Sequence, residues 1–106
     1  MKITVTLPGG EAVIVDAKAG ASVMESLRAA GLPIRAECGG AMACATCHVA
    51  VESDWVSKVG TAGDEESDLL GESDYCTSNS RLACQIITKD SLDGLCITLQ
   101  LDAFEG

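Results

Sequence analysis

Four of the six cysteines in this 106-residue chain have the spacing of a metal site. Cys38, Cys44 and Cys47 form a C-x5-C-x2-C loop, and Cys84 follows 37 residues after Cys47. Thiolates of this kind hold iron–sulfur clusters or zinc, so three on one loop and a distant fourth make a nearly complete cage. Gly39 and Gly40 allow positive φ and close backbone approach, and Ala41, Ala43 and Ala45 are small. Backbone N–H groups can therefore turn inward towards an anionic centre. A glycine- and alanine-lined spacer is unusual for structural zinc, which favours an iron–sulfur cluster and leaves zinc as the alternative.

Other chemistries fit these residues less well. A Rieske centre needs two histidine ligands, and His48 is the only histidine; the 4Fe–4S signature C-x2-C-x2-C is absent. Cys44-Ala45-Thr46-Cys47 could be a redox C-x-x-C pair, but such a pair opens a helix, and here a strand pattern follows. Cys47 and His48 are adjacent, so on a strand their side chains face opposite ways and cannot act as a catalytic couple. The chain therefore does not read as an enzyme. His48 is expected either to tie the cysteine loop to a carboxylate or carbonyl, or to be a satisfied buried histidine with no influence on the metal. Cys76 and Cys96 lie outside the motif. Cys96, beside Ile97, is expected to be a buried inert thiol, and Cys76 to be more exposed.

The elements that would position these residues are legible in outline. Ile3, Val5 and Leu7 alternate along a first strand, Pro8-Gly9-Gly10 turns, and Ala12 to Val15 forms the second arm of a hairpin. Ser22-Val23-Met24-Glu25 is a capping box, Val23, Leu27 and Ala30 keep helical spacing, and Gly31 with Pro33 stops the helix. His48 to Glu52 is a short strand carrying Val49 and Val51. Asp54 to Val59 is a helical turn with Trp55 and Val59 as its apolar contacts, and Thr61 to Gly71 is a short acidic helix. Leu82 to Ile87 brings Cys84 in on or beside a strand, and Asp93-Gly94 turns into a closing strand, Leu95 to Leu101. The result is an α+β domain, residues 1–106, with one main helix packed across a sheet.

Seven basic and sixteen acidic residues give a net charge of −9. That field disfavours nucleic acid and anionic membranes and favours basic protein surfaces. No run approaches the ~18 apolar residues of a membrane span. Six cysteines behind an N-terminus that reads as a strand suggest metal ligation in a reducing, bacterial cytoplasm. The acids concentrate between Lys58 and Arg81, a stretch with no basic residue. Glu65, Asp68 and Glu72 share one helical face, with Glu72 at the margin because Gly71 can end the helix. Residue types alone leave two uses open: complementing the helix dipole, or docking a basic partner. Arg81 could brace an acid or contact the partner, and bracing is the expectation.

In several stretches the chain resembles the 2Fe–2S ferredoxins of the adrenodoxin and putidaredoxin type. They are Glu37-Cys38-Gly39-Gly40, Cys44-Ala45-Thr46-Cys47-His48, Asp64-Glu65-Glu66-Ser67-Asp68-Leu69-Leu70, Ser80-Arg81-Leu82-Ala83-Cys84-Gln85-Ile86, and Asp93-Gly94. Plant-type ferredoxins carry four residues between the first two ligands, and this chain carries five. The resemblance implies a β-grasp fold with a mixed sheet and a 2Fe–2S cluster on Cys38, Cys44, Cys47 and Cys84, flanked by Gly39, Gly40 and His48. It further implies docking through Glu65, Glu66, Asp68 and Glu72. The function it implies is one-electron transfer by a monomer from an NAD(P)H-dependent flavoprotein reductase to an oxygenase, of cytochrome P450 or Rieske type. A role in iron–sulfur cluster assembly and a zinc-stabilised interaction module without redox chemistry are the alternatives.

Overall fold

The computed structural model describes residues 1–32, 34, 48–60, 62–73 and 76–100. Strands β1 (Lys2–Thr6) and β2 (Ala12–Asp16) pair antiparallel as the expected hairpin. Its loop is closed where Leu7 N–H donates to Glu11 C=O at 2.7 Å, with Gly10 at φ +95°. Glycine accepts that left-handed conformation without the Cβ clash other residues suffer.

Helix α1 (Val23–Ala29) begins at Ser22, whose Oγ accepts from Glu25 N–H at 3.1 Å and donates to the Glu25 carboxylate at 3.2 Å. At the other end Leu32 N–H reaches Leu27 C=O, Gly31 N–H reaches Arg28 C=O, and Gly31 takes φ +80°. This is a Schellman stop, in which a glycine just past the helix lets the last carbonyls be satisfied. Val23, Met24 and Leu27 are buried on the inner side of the helix.

Strand β3 (His48–Val51) is followed by a 3-10 turn (Ser53–Trp55), the short helix α2 (Val56–Val59) and the acidic helix α3 (Asp64–Gly71). After α3 come β4 (Ser80–Leu82), a 3-10 turn (Ala83–Gln85), a further 3-10 turn (Asp90–Leu92) and β5 (Leu95–Leu99). The sheet order is β2-β1-β5-β3-β4; β1 and β5 run parallel and the other neighbours antiparallel. This mixed sheet with a helix over one face is the expected β-grasp α+β architecture.

Alternation along the strands sorts the two faces of the sheet. Ile3 and Val5, Val49 and Val51, and Leu95, Ile97 and Leu99 point into a core shared with α1, Leu70, Ile86 and Leu92. Cys96 and Thr98 take the opposite parity and are only partly buried, so the expectation of a buried Cys96 is corrected. Being next to an apolar residue on a strand puts a side chain on the other face. Several boundaries also move: β5 ends at Leu99 rather than Leu101, and the turn expected over Asp54 to Val59 divides into Ser53–Trp55 and Val56–Val59. The acidic helix starts at Asp64 after Gly63 rather than at Thr61, and β4 stops at Leu82, so Cys84 sits on the tight turn beside the strand.

Candidate metal centre

Cys84 is buried on the Ala83–Gln85 turn, within the hydrophobic core cluster. Its position is fixed from both sides. Upstream, β4 pairs with β3 in a register that sets Leu82 opposite His48. The residue following Cys47 in the chain therefore lies beside a residue two positions before Cys84. Downstream, the chain is zipped to the start of α1. Val23 N–H donates to Ile86 C=O and Thr88 N–H to Ala21 C=O, and the Thr88 hydroxyl donates to the carbonyls of Lys18 and Ala21. Side-chain and backbone bonds thus hold the turn against the main helix. Cys38, Cys44 and Cys47, with Gly39 and Gly40, lie outside the described residues.

His48 is fully buried. Its Nε2 lies 2.6 Å from Ser80 Oγ and its Nδ1 3.4 Å from Ser73 Oγ. Ser80 Oγ in turn accepts from Thr77 N–H at 2.8 Å. The ring therefore joins β3 to the segment after α3 and to the head of β4. Serine hydroxyls are thus among its partners. With serine hydroxyls against both ring nitrogens, His48 serves to hold β3 to its neighbours. Cys76 is exposed, and Cys96 lies on the outer sheet face with its Sγ near Gly94 C=O.

The acidic helix divides into two kinds of carboxylate. Asp64, Glu65, Asp68 and Glu72 are exposed, Glu72 as the residue capping the helix C-terminus. Glu66 is not; it is 4 % exposed, so its expected place on the docking face is corrected. Glu66 Oε2 accepts from Arg81 Nε at 2.7 Å and from Leu82 N–H at 2.8 Å, and Oε1 accepts from Arg81 Nη2 at 3.4 Å. Arg81 Nη1 also donates to the carbonyls of Val59 and Gly60. Arg81 thus braces an acid, as expected, and one buried pair ties α2, α3 and β4 together three residues before Cys84. Helical periodicity places Glu66 between Glu65 and Asp68 in sequence, but a step of about 100° turns it to the inner side. Its alignment with Leu70 four residues on was the available signal.

Neither the serines around His48 nor the amide beside Cys84 was singled out from sequence. Gln85 Nε2 donates to Cys84 Sγ at 3.4 Å. No local pattern marks a glutamine for that role.

Comparison with known proteins agrees with this geometry. The model of the 2Fe–2S iron–sulfur cluster binding domain matches residues 7–89. The chain is similar to the 2Fe–2S ferredoxin CtmE of Castellaniella defragrans, 41% identical over 98 residues, which cover 92% of each chain. It superposes on the crystal structure of a ferredoxin from Rhodopseudomonas palustris HaA2 with a TM-score of 0.92 at 40% identity, covering 97% of this chain and 99% of that one. Putidaredoxin in its covalent complex with putidaredoxin reductase superposes with a TM-score of 0.88 at 34% identity, covering 93% and 97% of the two chains. Fold and family match together define an iron–sulfur protein of the β-grasp class. The chain belongs to the 2Fe–2S ferredoxin family, of the adrenodoxin and putidaredoxin type, and is an electron carrier with a 2Fe–2S cluster. The zinc alternative is thereby set aside. Among the described residues no helix is long and apolar enough to cross a membrane.

Proposed function

We propose that this ferredoxin takes single electrons from an NAD(P)H-dependent flavoprotein reductase and delivers them to an oxygenase, of cytochrome P450 or Rieske type. Cys38, Cys44, Cys47 and Cys84 are the residues that hold the cluster, which when bound supplies a one-electron couple of low potential. The chain's own contribution is to fix Cys84 on a braced turn, to bury His48 beside the loop exit, and to present acids to a partner. The docking set is Glu65, Asp68 and Glu72, without Glu66.

The observation that carries the reading is the placement of the exposed acidic face of α3. It is joined through buried Glu66 and Arg81 to the strand leading into Cys84. A basic partner drawn to that face is brought to the side of the molecule that carries β4. A net charge of −9 supports electrostatic steering towards basic partners, and opposes self-association of a monomer. The solved complex of putidaredoxin with its reductase supports a reductase as donor. A bacterial cytoplasm is the proposed setting, supported by likeness to bacterial ferredoxins such as CtmE. The test is reduction of the purified holoprotein by NAD(P)H through a flavoprotein ferredoxin reductase, followed at several salt concentrations. Fast reduction that slows with added salt is expected, and reduction indifferent to salt would remove the docking reading.

A further inference from the structure

We infer that Gln85 sets the reduction potential of the cluster through a side-chain hydrogen bond to the Cys84 sulfur. The inference rests on the proposed role of Cys84 as a cluster ligand. Gln85 is half-buried, and its Nε2 donates to Cys84 Sγ at 3.4 Å, a separation suited to the large sulfur atom. The contact is specific in origin. Cys84 and Gln85 share the tight Ala83–Gln85 turn, and the next residues, Ile86 and Thr88, are pinned to Val23, Ala21 and Lys18. The backbone on which the amide stands therefore cannot swing away without breaking that zipper.

A neutral amide is a weak partner for a thiol and a stronger one for a ligating thiolate, because charge on the acceptor strengthens the bond. Reduction adds one electron to a centre whose sulfurs carry much of the added negative charge. A donor aimed at one of those sulfurs stabilises the reduced form more than the oxidised form. Hydrogen bonds to sulfur are one of the levers that spread potentials within a single cluster type. Gln85 thus raises the electron affinity of the centre without adding charge. A lysine at this point would also change the field seen by a docking partner.

Two experiments on the cluster-loaded protein test this. Gln85→Met keeps the length of the side chain and removes the donor, and Gln85→Leu removes it with a different shape. Both are expected to keep the visible spectrum and to lose up to about tenfold in electron affinity, tenfold being ~59 mV for one electron. An unchanged midpoint in both loaded variants overturns the inference. The second experiment needs no variant. The chain has only two glutamines, Gln85 and Gln100, so selective 15N labelling of glutamine side chains gives two amide signals. Gln85 is expected to show a temperature-dependent hyperfine shift in the reduced holoprotein. Gln100, whose Nε2 donates to Thr98 C=O, serves as the internal reference without one. Two diamagnetic signals overturn the inference. Failure of the underlying ligand reading has a different signature, since Cys84→Ser would then keep its cluster and its colour.

Discussion

Removing the Glu66 carboxylate should cost this protein a large part of its stability, while removing a neighbouring carboxylate should cost almost nothing. In Glu66→Ala the guanidinium of Arg81, a residue 8 % exposed, keeps its charge and loses its counter-ion. An uncompensated buried charge of this kind costs about 3–5 kcal/mol. The carbonyls of Val59 and Gly60 still accept from Arg81, which favours the lower end of that range. Leu82 N–H loses its acceptor as well, and a buried unsatisfied donor costs about 1–3 kcal/mol. The two losses share one site and do not add, so about 4 kcal/mol is the expected total. A domain of this size has roughly 5–15 kcal/mol in all. With a urea slope of about 2 kcal/mol per molar, the midpoint should fall by about 2 M. Asp68→Ala, on the exposed face, should move it by no more than about 0.25 M, since surface positions typically change stability by no more than ~0.5 kcal/mol. The assay is urea unfolding of the holoprotein followed by far-ultraviolet circular dichroism. Replacing both partners, Glu66→Leu with Arg81→Met, should recover part of the loss, because neither charge is then stranded although Leu82 N–H still lacks its acceptor. Equal midpoints for Glu66→Ala and Asp68→Ala would refute the reasoning, and so would a double variant weaker than the single one.

Ligand substitutions should separate the cysteines cleanly. Serine at Cys38, Cys44, Cys47 or Cys84 should abolish or severely weaken cluster binding, whereas Cys76→Ser and Cys96→Ser should keep the visible spectrum, with iron content as the check. On the acidic face, Asp68→Asn or Glu65→Gln should slow reductase-coupled electron transfer and flatten its salt dependence with the spectrum unchanged; stopped-flow rates across a salt series would show this. The Asp16 carboxyl is held below its ordinary value first by the hydrogen bond from Lys2, at 2.6 Å, and then by the Lys2 charge. Because the folded value is the lower one, any stabilisation from this pair is present above the unfolded carboxylate value and is lost as pH falls through the folded one. Both side chains are exposed, so the effect on stability is small, and the titration of Asp16 itself is the better readout. Lys2→Met should move that titration up towards the ordinary aspartate value in a carboxyl NMR experiment.

Local rules made the scaffold readable. The hairpin, the Ser22 cap, the glycine stop at Gly31 and the Asp93-Gly94 turn each follow from chemistry within a few residues of sequence. The strand order did not follow from periodicity, because the parallel pairing of β1 with β5 joins segments some ninety residues apart. The errors have the same origin. Cys96 looked buried because its neighbours are apolar, yet strand parity turns it outward. Glu66 looked like one more surface acid, yet it faces inward because Arg81, fifteen residues on in sequence, meets it there. The cysteine spacing pointed to a cluster, while the bonds that refine the site, Ser80 on His48 and Gln85 on Cys84, depend on contacts and rotamers that spacing does not encode.

The central claim is that this chain carries one electron at a time on a 2Fe–2S cluster. Anaerobic reductive titration of the purified protein, with iron and sulfide analysed on the same sample, tests it directly. The expected result is a coloured protein with two irons and two sulfides per chain that accepts one electron, bleaches partly, and becomes paramagnetic. A colourless zinc protein, or a chain that takes up no electron, would contradict it.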